Sequence, residues 1–344
     1  MKHLLNTLFV MTQGAWLSQK GEEIIVHLDK ETRKSYPIHI FESIICFGRV
    51  SATGPLLGFC ASNGVPISFF SEQGRYLARV DGPVRGNVLL RRQQYRKADE
   101  VNCSSKIAQS ILIAKLSNSR KVLMRFLRDN NNDENEFPEV TSAINNLAII
   151  AKEISSHISL DELRGFEGDA ARCYFGAFNN LILTQKDFFE FKDRNRRPPM
   201  DRVNAMLSYV YSLLAHDVAS ALEGVGLDPA VGYLHRDRPG RPSLALDIME
   251  EFRSWLADRI VLSLINLRQV DSRGFTISEN GAVTMDEVTR KKIIAAWQSR
   301  KQDELTHPFI GEKISIGLLP HIQARLLAKH IRGDLEAYPP FVWR

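Results

Sequence analysis

The segment GYLHRDRPGRPSLALDIMEEF, Gly232 to Phe252, sets His235 before a loop that carries Arg236, Arg238 and Arg241 and is stiffened by Pro239 and Pro242. Asp247, Glu250 and Glu251 follow at the start of a predicted helix over 244–268. Guanidinium groups bind phosphate oxygens in forked pairs, and carboxylates with a neutral imidazole can hold a hard divalent ion. The mixture of oxygen and nitrogen donors suits Mg2+ or Mn2+ better than zinc. An ordinary salt-bridged corner uses the same residues, because acids in a first helical turn also complement the macrodipole. Wound as one helix, the segment gathers Ile248, Phe252, Trp255 and Leu256 on an apolar side. Glu250 then points away from that side, Asp247 lies about 60° from it, and Glu251 falls nearer its flank.

One histidine and one carboxylate would hold a metal weakly, so a further acid is required. SLDELRGFEGDAARCYFGAF supplies a candidate in Glu167. Ser159 and Glu162 form a capping-box signature for a helix start. Glu167, Ala171, Tyr174 and Phe178 then share one face at helical spacing, and Gly165, Gly168, Ala170 and Ala171 keep the backbone thin enough for close approach. A tight helix–helix contact with a solvated Glu167 is the rival explanation.

Basic residues recur in four places. Besides the arginine loop there are Arg85, Arg91, Arg92, Arg96 and Lys97, then Arg120, Lys121, Arg125 and Arg128. FFEFKDRNRRPP adds Lys192, Arg194, Arg196 and Arg197 beside Phe188, Phe189 and Phe191. Charge interleaved with aromatic rings can bind phosphates while stacking bases. A solvated helix face explains any one cluster; together they favour a nucleic-acid partner.

The elements that must position these residues come in two textures. TLFVMT, AWLSQ, EEIIVHL, SIICFG, VPISFF and RYLARV are short β-branched or aromatic runs, with turns predicted at Lys20-Gly21, Asp29-Lys30, Asn63-Gly64 and Gln73-Gly74. A short helix near Gly54 to Ser62 interrupts them. From about Asn87 helical periodicity dominates, over 103–128, 140–157, 160–183, 201–223, 244–268, 285–303 and 318–331. Strands first and helices later predict an α+β chain, with a β-strand domain at 1–95 and an all-helical catalytic domain at 96–344. The 344 residues carry a net charge of only +5, so a nucleic-acid surface must arise by local clustering. Four scattered cysteines without CxxC spacing argue against a zinc ribbon or disulfide framework. The N-terminal apolar run is interrupted by Asn6, Thr7, Thr12 and Gln13, which argues against a signal peptide. No run is long enough for a membrane span, and a cytoplasmic protein is expected.

LRGFEGDAARCYF, DRVNAMLSYVYSLL, VGYLHRDRPGRPSLALDIMEEFR and LLPHIQARLLAKHIRGDLEAYPPFVW occur here in the order found in the CRISPR-associated endonuclease/integrase family of spacer acquisition, which the chain resembles over nearly its whole length. GFCASNGVPISFFSEQGRYLARVDGPVRGNVLLRRQQY looks like that family's domain junction. The resemblance implies the same two domains, dimerisation through the first, and a homodimer that works with a small ferredoxin-like CRISPR partner protein on a short DNA duplex with 3′ ends and on the CRISPR repeat. It implies Glu167, His235 and Glu250 as catalytic metal ligands for Mg2+ or Mn2+, with Asp247 supporting them or reaching a second ion. The chain departs from many relatives at Arg202 and Val210, where a proline or small residue and a glycine are usual; a local difference in helix packing is expected.

The chemistry this predicts is metal-assisted phosphoryl transfer, with a DNA 3′-hydroxyl or water as nucleophile and no nucleophilic side chain. Arg236, Arg238 and Arg241, with Arg196 and Arg197, would bind DNA phosphates. His235 serves either as ligand or as general base. A non-catalytic DNA-binding scaffold of the same adaptation complex would keep the basic residues but need no metal. A small-molecule phosphoesterase would keep the metal set but lack salt-sensitive duplex binding.

Overall fold

The computed structural model describes the chain apart from residues 1–6, 29–31, 42, 73–75, 81, 83–87, 131–135, 155–158 and 344. Arg85 and the expected turns at 29–30 and 73–74 lie outside the described residues. The chain divides into two units, Met1–Arg85 and Gly86–Arg344, against the expected boundary at 95. The earlier division reflects helix packing within the second unit. There Gln94 is buried and donates to the carbonyls of Asp228 (2.8 Å) and Val231 (3.2 Å).

The first unit contains β1 (Thr7–Val10), β2 (Trp16–Lys20), β3 (Glu23–His27), β4 (Arg33–Pro37), β5 (Ser43–Phe47), β6 (Ser51–Ala52), β7 (Ile67–Phe70) and β8 (Tyr76–Val80). One sheet has the order β1-β5-β7-β8, with the first three strands parallel and β8 antiparallel. The other has the order β4-β3-β2-β6. Leu17, Ile24, Val26, Ile44 and Ile67 bury their side chains in one core with Leu56 and Cys60 of α1 (Gly54–Asn63). The sequence pattern missed β4 because RKSYP is an exposed or half-buried edge strand with no apolar alternation. Asn63-Gly64 ends α1, with Gly64 at φ 69°, instead of joining two strands. Burial pushes the Cys46 and Cys60 thiols up to about 12 and about 11, so both are inert.

The second unit holds α2 (Val88–Asp99), α3 (Val101–Asp129), α4 (Pro138–Ile154), α5 (Leu160–Gly176), α6 (Arg202–Gly224), α7 (Ser243–Met249), α8 (Arg259–Asn266), α9 (Glu287–Gln302) and α10 (Leu319–Arg332). It is not all-helical. Two hairpins interrupt it, β9 (Phe275–Ile277) with β10 (Val283–Met285) and β11 (Glu304–Thr306) with β12 (Lys313–Ser315). Strands of three residues are too short to show alternation. Ser159 stands at the N-cap of α5, but its side chain makes no capping bond. Asp201 and Asp286 do cap α6 and α9, each accepting from a backbone N–H at 2.7 Å. After α10 the tail returns to α3, where Asn118 donates to Phe341 O (2.9 Å) and accepts from Trp343 N–H (2.8 Å).

The predicted helix over 244–268 is broken. α7 ends at Met249, and a π-helical turn at Arg253–Asp258 precedes α8. Such turns shift the register of a helix and concentrate at functional sites. Among the described residues no helix is long and apolar enough to cross a membrane.

Candidate active site

The break after Met249 changes the reading of the three acids. Glu250 stands at the C-cap of α7, so neither it nor Glu251 complements a helix N-terminus, and the macrodipole there disfavours a carboxylate. Nor is Glu250 solvent-facing. It points away from the apolar core side yet is 1 % exposed, turned toward α3 and α5. Lys115 of α3 brings its ammonium to 2.9 Å from Glu250 Oε2, and the Arg253 guanidinium lies 3.0 Å from Oε1. Lys115 also donates to Glu167 of α5. The two glutamates from separate helices therefore meet on one ammonium.

Burial opposes ionisation of Glu250, but Arg253, Lys115 and His235 outweigh it and bring its carboxyl down to about 2. Burial likewise works against the Lys115 charge, yet Glu250 and Glu167 hold it above the ordinary lysine range. Glu250 and Lys115 are therefore both charged at physiological pH.

His235 stands on a loop that Asp247 holds in place. Asp247 Oδ2 accepts the backbone N–H groups of Tyr233 (2.6 Å) and Leu234 (3.0 Å). Its Oδ1 accepts the backbone N–H of His235 (2.9 Å) and pairs with His235 Nδ1 at 2.6 Å. With Asp247 as the acceptor, Nδ1 is the ring's donor and Nε2 is left to face another partner. Asp247 is fully buried and its oxygens accept from these four donors, so it orients His235. The approach requires Gly232: a Cβ there would lie 2.8 Å from Ser243 Cβ and 2.9 Å from Asp247 Oδ2. Arg164 of α5 fixes the same loop by donating to Leu234 O (2.8 Å).

The arginines divide by partner. Arg236 is paired with Asp161 (2.8 Å). Arg241 has its pKa lowered by burial first and then by Arg238, Arg196 and Arg197, the last three by like-charge repulsion. Arg196, Arg197, Arg238 and Arg241 thus converge from two loops, and like charges crowded this way suit an anion. Arg194 turns inward to Asn204 Oδ1 (2.6 Å) and over the Tyr211 ring (5.2 Å). The expected base-stacking aromatics do not form a platform. Phe189 and Phe191 are core, Phe191 lying 4.9 Å from the Phe178 ring, and only Phe188 of the three is exposed. Arg91 and Lys97 are engaged with the carbonyls of Gly226 and His330, and among the described residues of that cluster Arg92 and Arg96 are exposed.

The donor chemistry of Glu167, Glu250 and His235 Nε2 fits a hard divalent ion. Both Glu250 oxygens are buried and, apart from their ion pairs, accept no hydrogen bond, so coordinating capacity is left over. As they stand, however, no three His, Cys, Asp or Glu side chains among the described residues are grouped to hold a metal. Lys115, which sequence reasoning did not single out, pairs with both glutamates in this arrangement. Its signal was a lone charge inside the apolar run Ile111 to Leu116. Arg253, Tyr211 and Asp258 were missed as well. Asp258 is buried, accepts from Tyr211 OH (2.6 Å) and Tyr174 OH (3.0 Å), and is pushed up to about 6 by burial against those bonds. These residues line a cleft of about 50 Å³ with Lys115 and Glu167. A Cβ on Gly165 or Gly168 would meet nothing within 4 Å, so those glycines answer no packing need inside this chain.

Comparison with known proteins gives consistent matches. The family profile described as CRISPR associated protein Cas1 matches residues 8–299. CRISPR-associated endonuclease Cas1 1 of Chlorobaculum tepidum is 50% identical over 100% of both chains. A casposase bound to its integration product has a TM-score of 0.81 at 24% identity, covering 98% of this chain and 94% of that one. A Cas6-RT-Cas1–Cas2 complex gives 0.83 at 22% identity, covering 98% of this chain and 36% of the longer one. The two structural likenesses carry the fold.

Proposed function

The chain belongs to the CRISPR-associated Cas1 family, and we propose that it is a metal-dependent DNA endonuclease and integrase that joins short DNA fragments, as new spacers, into a CRISPR array by transesterification. The observation that carries this reading is the meeting of Glu167 and Glu250 on one cation, with His235 held by Asp247 among the charges that act on Glu250. Glu167, Glu250 and His235 Nε2 would hold Mg2+ or Mn2+. A bound ion of this kind polarises a phosphate and stabilises charge on the leaving oxygen.

The chain's own residues do the rest. Asp247 holds the His235 ring through Nδ1, which leaves Nε2 to serve as metal ligand or as general base. Arg196, Arg197, Arg238 and Arg241 hold backbone phosphates and orient the strand. Arg236, balanced by Asp161, contributes less. The attacking group is a DNA 3′-hydroxyl or water, because no side chain at the site is an activated nucleophile.

The name of the Chlorobaculum relative supports nuclease activity, and the casposase neighbour supports strand joining. The neighbour solved with Cas2 supports a small ferredoxin-like partner, and the reading includes a homodimer acting with it on a short duplex with 3′ ends and on the CRISPR repeat. The test uses supercoiled plasmid and such a duplex, with and without the partner, in Mg2+, Mn2+ and EDTA. Metal-dependent nicking or joining, lost in His235→Ala and Glu250→Ala while DNA binding persists, is the expected result. Normal binding with no metal-dependent product from the native protein and its partner would instead identify a DNA-binding scaffold.

A further inference from the structure

Lys115 belongs to α3, which contributes none of the three ligands. It is flanked by the buried Ile111, Leu112, Ala114 and Leu116, and its side chain is 12% exposed. Burying an ammonium in such surroundings is costly unless it is paired, and here it pairs with both ligand glutamates. Glu167, Glu250, Lys115 and Arg253 together carry no net charge. A divalent ion seated on the same two carboxylates would compete with the Lys115 ammonium for Glu167 Oε1 and Glu250 Oε2, and with Arg253 for Glu250 Oε1, so a resident cation has to give way.

The two cations are not equally free to do so. The Arg253 guanidinium is stacked 5.0 Å from the Tyr211 ring centre, and the Tyr211 hydroxyl is fixed on buried Asp258. Lys115 is a point charge on a flexible stem, and the cleft beside it gives its head space to retreat. Building on the metal-site reading above, we propose that Lys115 is a tethered counter-cation that occupies the carboxylate pair in the metal-free protein and is displaced when a divalent ion binds. The arrangement keeps two like-charged ligands assembled without metal. It also weakens apparent metal affinity, because each binding event must break two ion pairs.

The test compares Mn2+ binding, read from the free-ion EPR signal, and thermal unfolding with and without Mn2+ in the full-length protein, Lys115→Met and Lys115→Gln. The expected result is tighter Mn2+ binding in both variants, by about tenfold or more. Melting temperatures should be lower in EDTA, with a larger gain on adding Mn2+ than the native protein shows. Equal or weaker Mn2+ binding in the variants would overturn the proposal. If the native protein binds no Mn2+, the metal site itself is wrong and the proposal falls with it, a failure visible without any variant. Should both variants fail to fold, amine acetylation of the native protein followed by mass spectrometry decides. Lys115 should be protected in EDTA and labelled several-fold faster in Mg2+, with exposed Lys192 unchanged; Lys115 labelling that ignores Mg2+ would overturn the proposal.

Discussion

Glu250 and Glu251 are neighbours in the chain and both are buried, yet they look into different surroundings. Glu250 faces two cations and is held down to about 2. Glu251 faces neutral donors: Tyr338 OH at 2.6 Å, Phe341 N–H at 2.7 Å and the Gln323 amide at 2.9 Å. Burial dominates there and raises its carboxyl to about 7 in spite of those three bonds. At Glu251 three hydrogen bonds from neutral groups do not offset burial, whereas at Glu250 the cations do. One glutamate is therefore equipped to exchange its partners for a metal, and the other anchors the C-terminal tail.

The largest effect that would separate them is catalytic. Glu250→Gln should lower the single-turnover rate of nicking or joining by on the order of 10³-fold, while Glu251→Gln keeps most of it. Equal losses in the two variants would break the distinction.

Acid titration sharpens it next. In EDTA, Glu251 has a folded value of about 7 above an ordinary 4.5, so its contribution is fully present below about pH 4.5 and lost as pH rises through 7. Glu250 has the opposite sign: its contribution is present above about pH 4.5 and lost as pH falls through about 2. Between about pH 5 and 8 Glu251, and not Glu250, should therefore act. Denaturant unfolding should show native stability falling relative to Glu251→Gln by on the order of 3 kcal/mol across that window. A flat difference would contradict the raised value.

Asp247→Asn should cost about 10- to 100-fold in Mn2+ affinity, measured by titration, because an amide cannot accept all four donors and the His235 ring loses its fixed tautomer. The smallest effect belongs to the tail. Tyr338→Phe should cost about 1 kcal/mol in unfolding free energy and leave strand joining unchanged.

Much of the framework was legible because long apolar periods survive in the sequence. The helical segments around 103–128, 201–223 and 318–331 lie where periodicity put them, and the β-rich first unit followed from its short aromatic and β-branched runs. The break after Met249 was not legible, since DIMEEFRSW continues an apolar helical period through the turn. That hid the burial of Glu250. The two sheet hairpins of the second unit were too short to register. Lys115 was hidden for a different reason: its partners are brought to it by α5 and α7, and no local pattern records that meeting. Asp247 binds mainly backbone N–H groups, which sequence spacing cannot display, although Gly232 marks the close approach they require.

The most direct test of the metal site is a crystal of the protein grown or soaked in Mn2+, with anomalous scattering measured at the manganese edge. One strong peak ligated by Glu167, Glu250 and His235 Nε2 is expected, with the Lys115 ammonium moved off both carboxylates. No peak there, or a manganese ion bound by other residues while Lys115 still joins the two glutamates, would contradict this assignment.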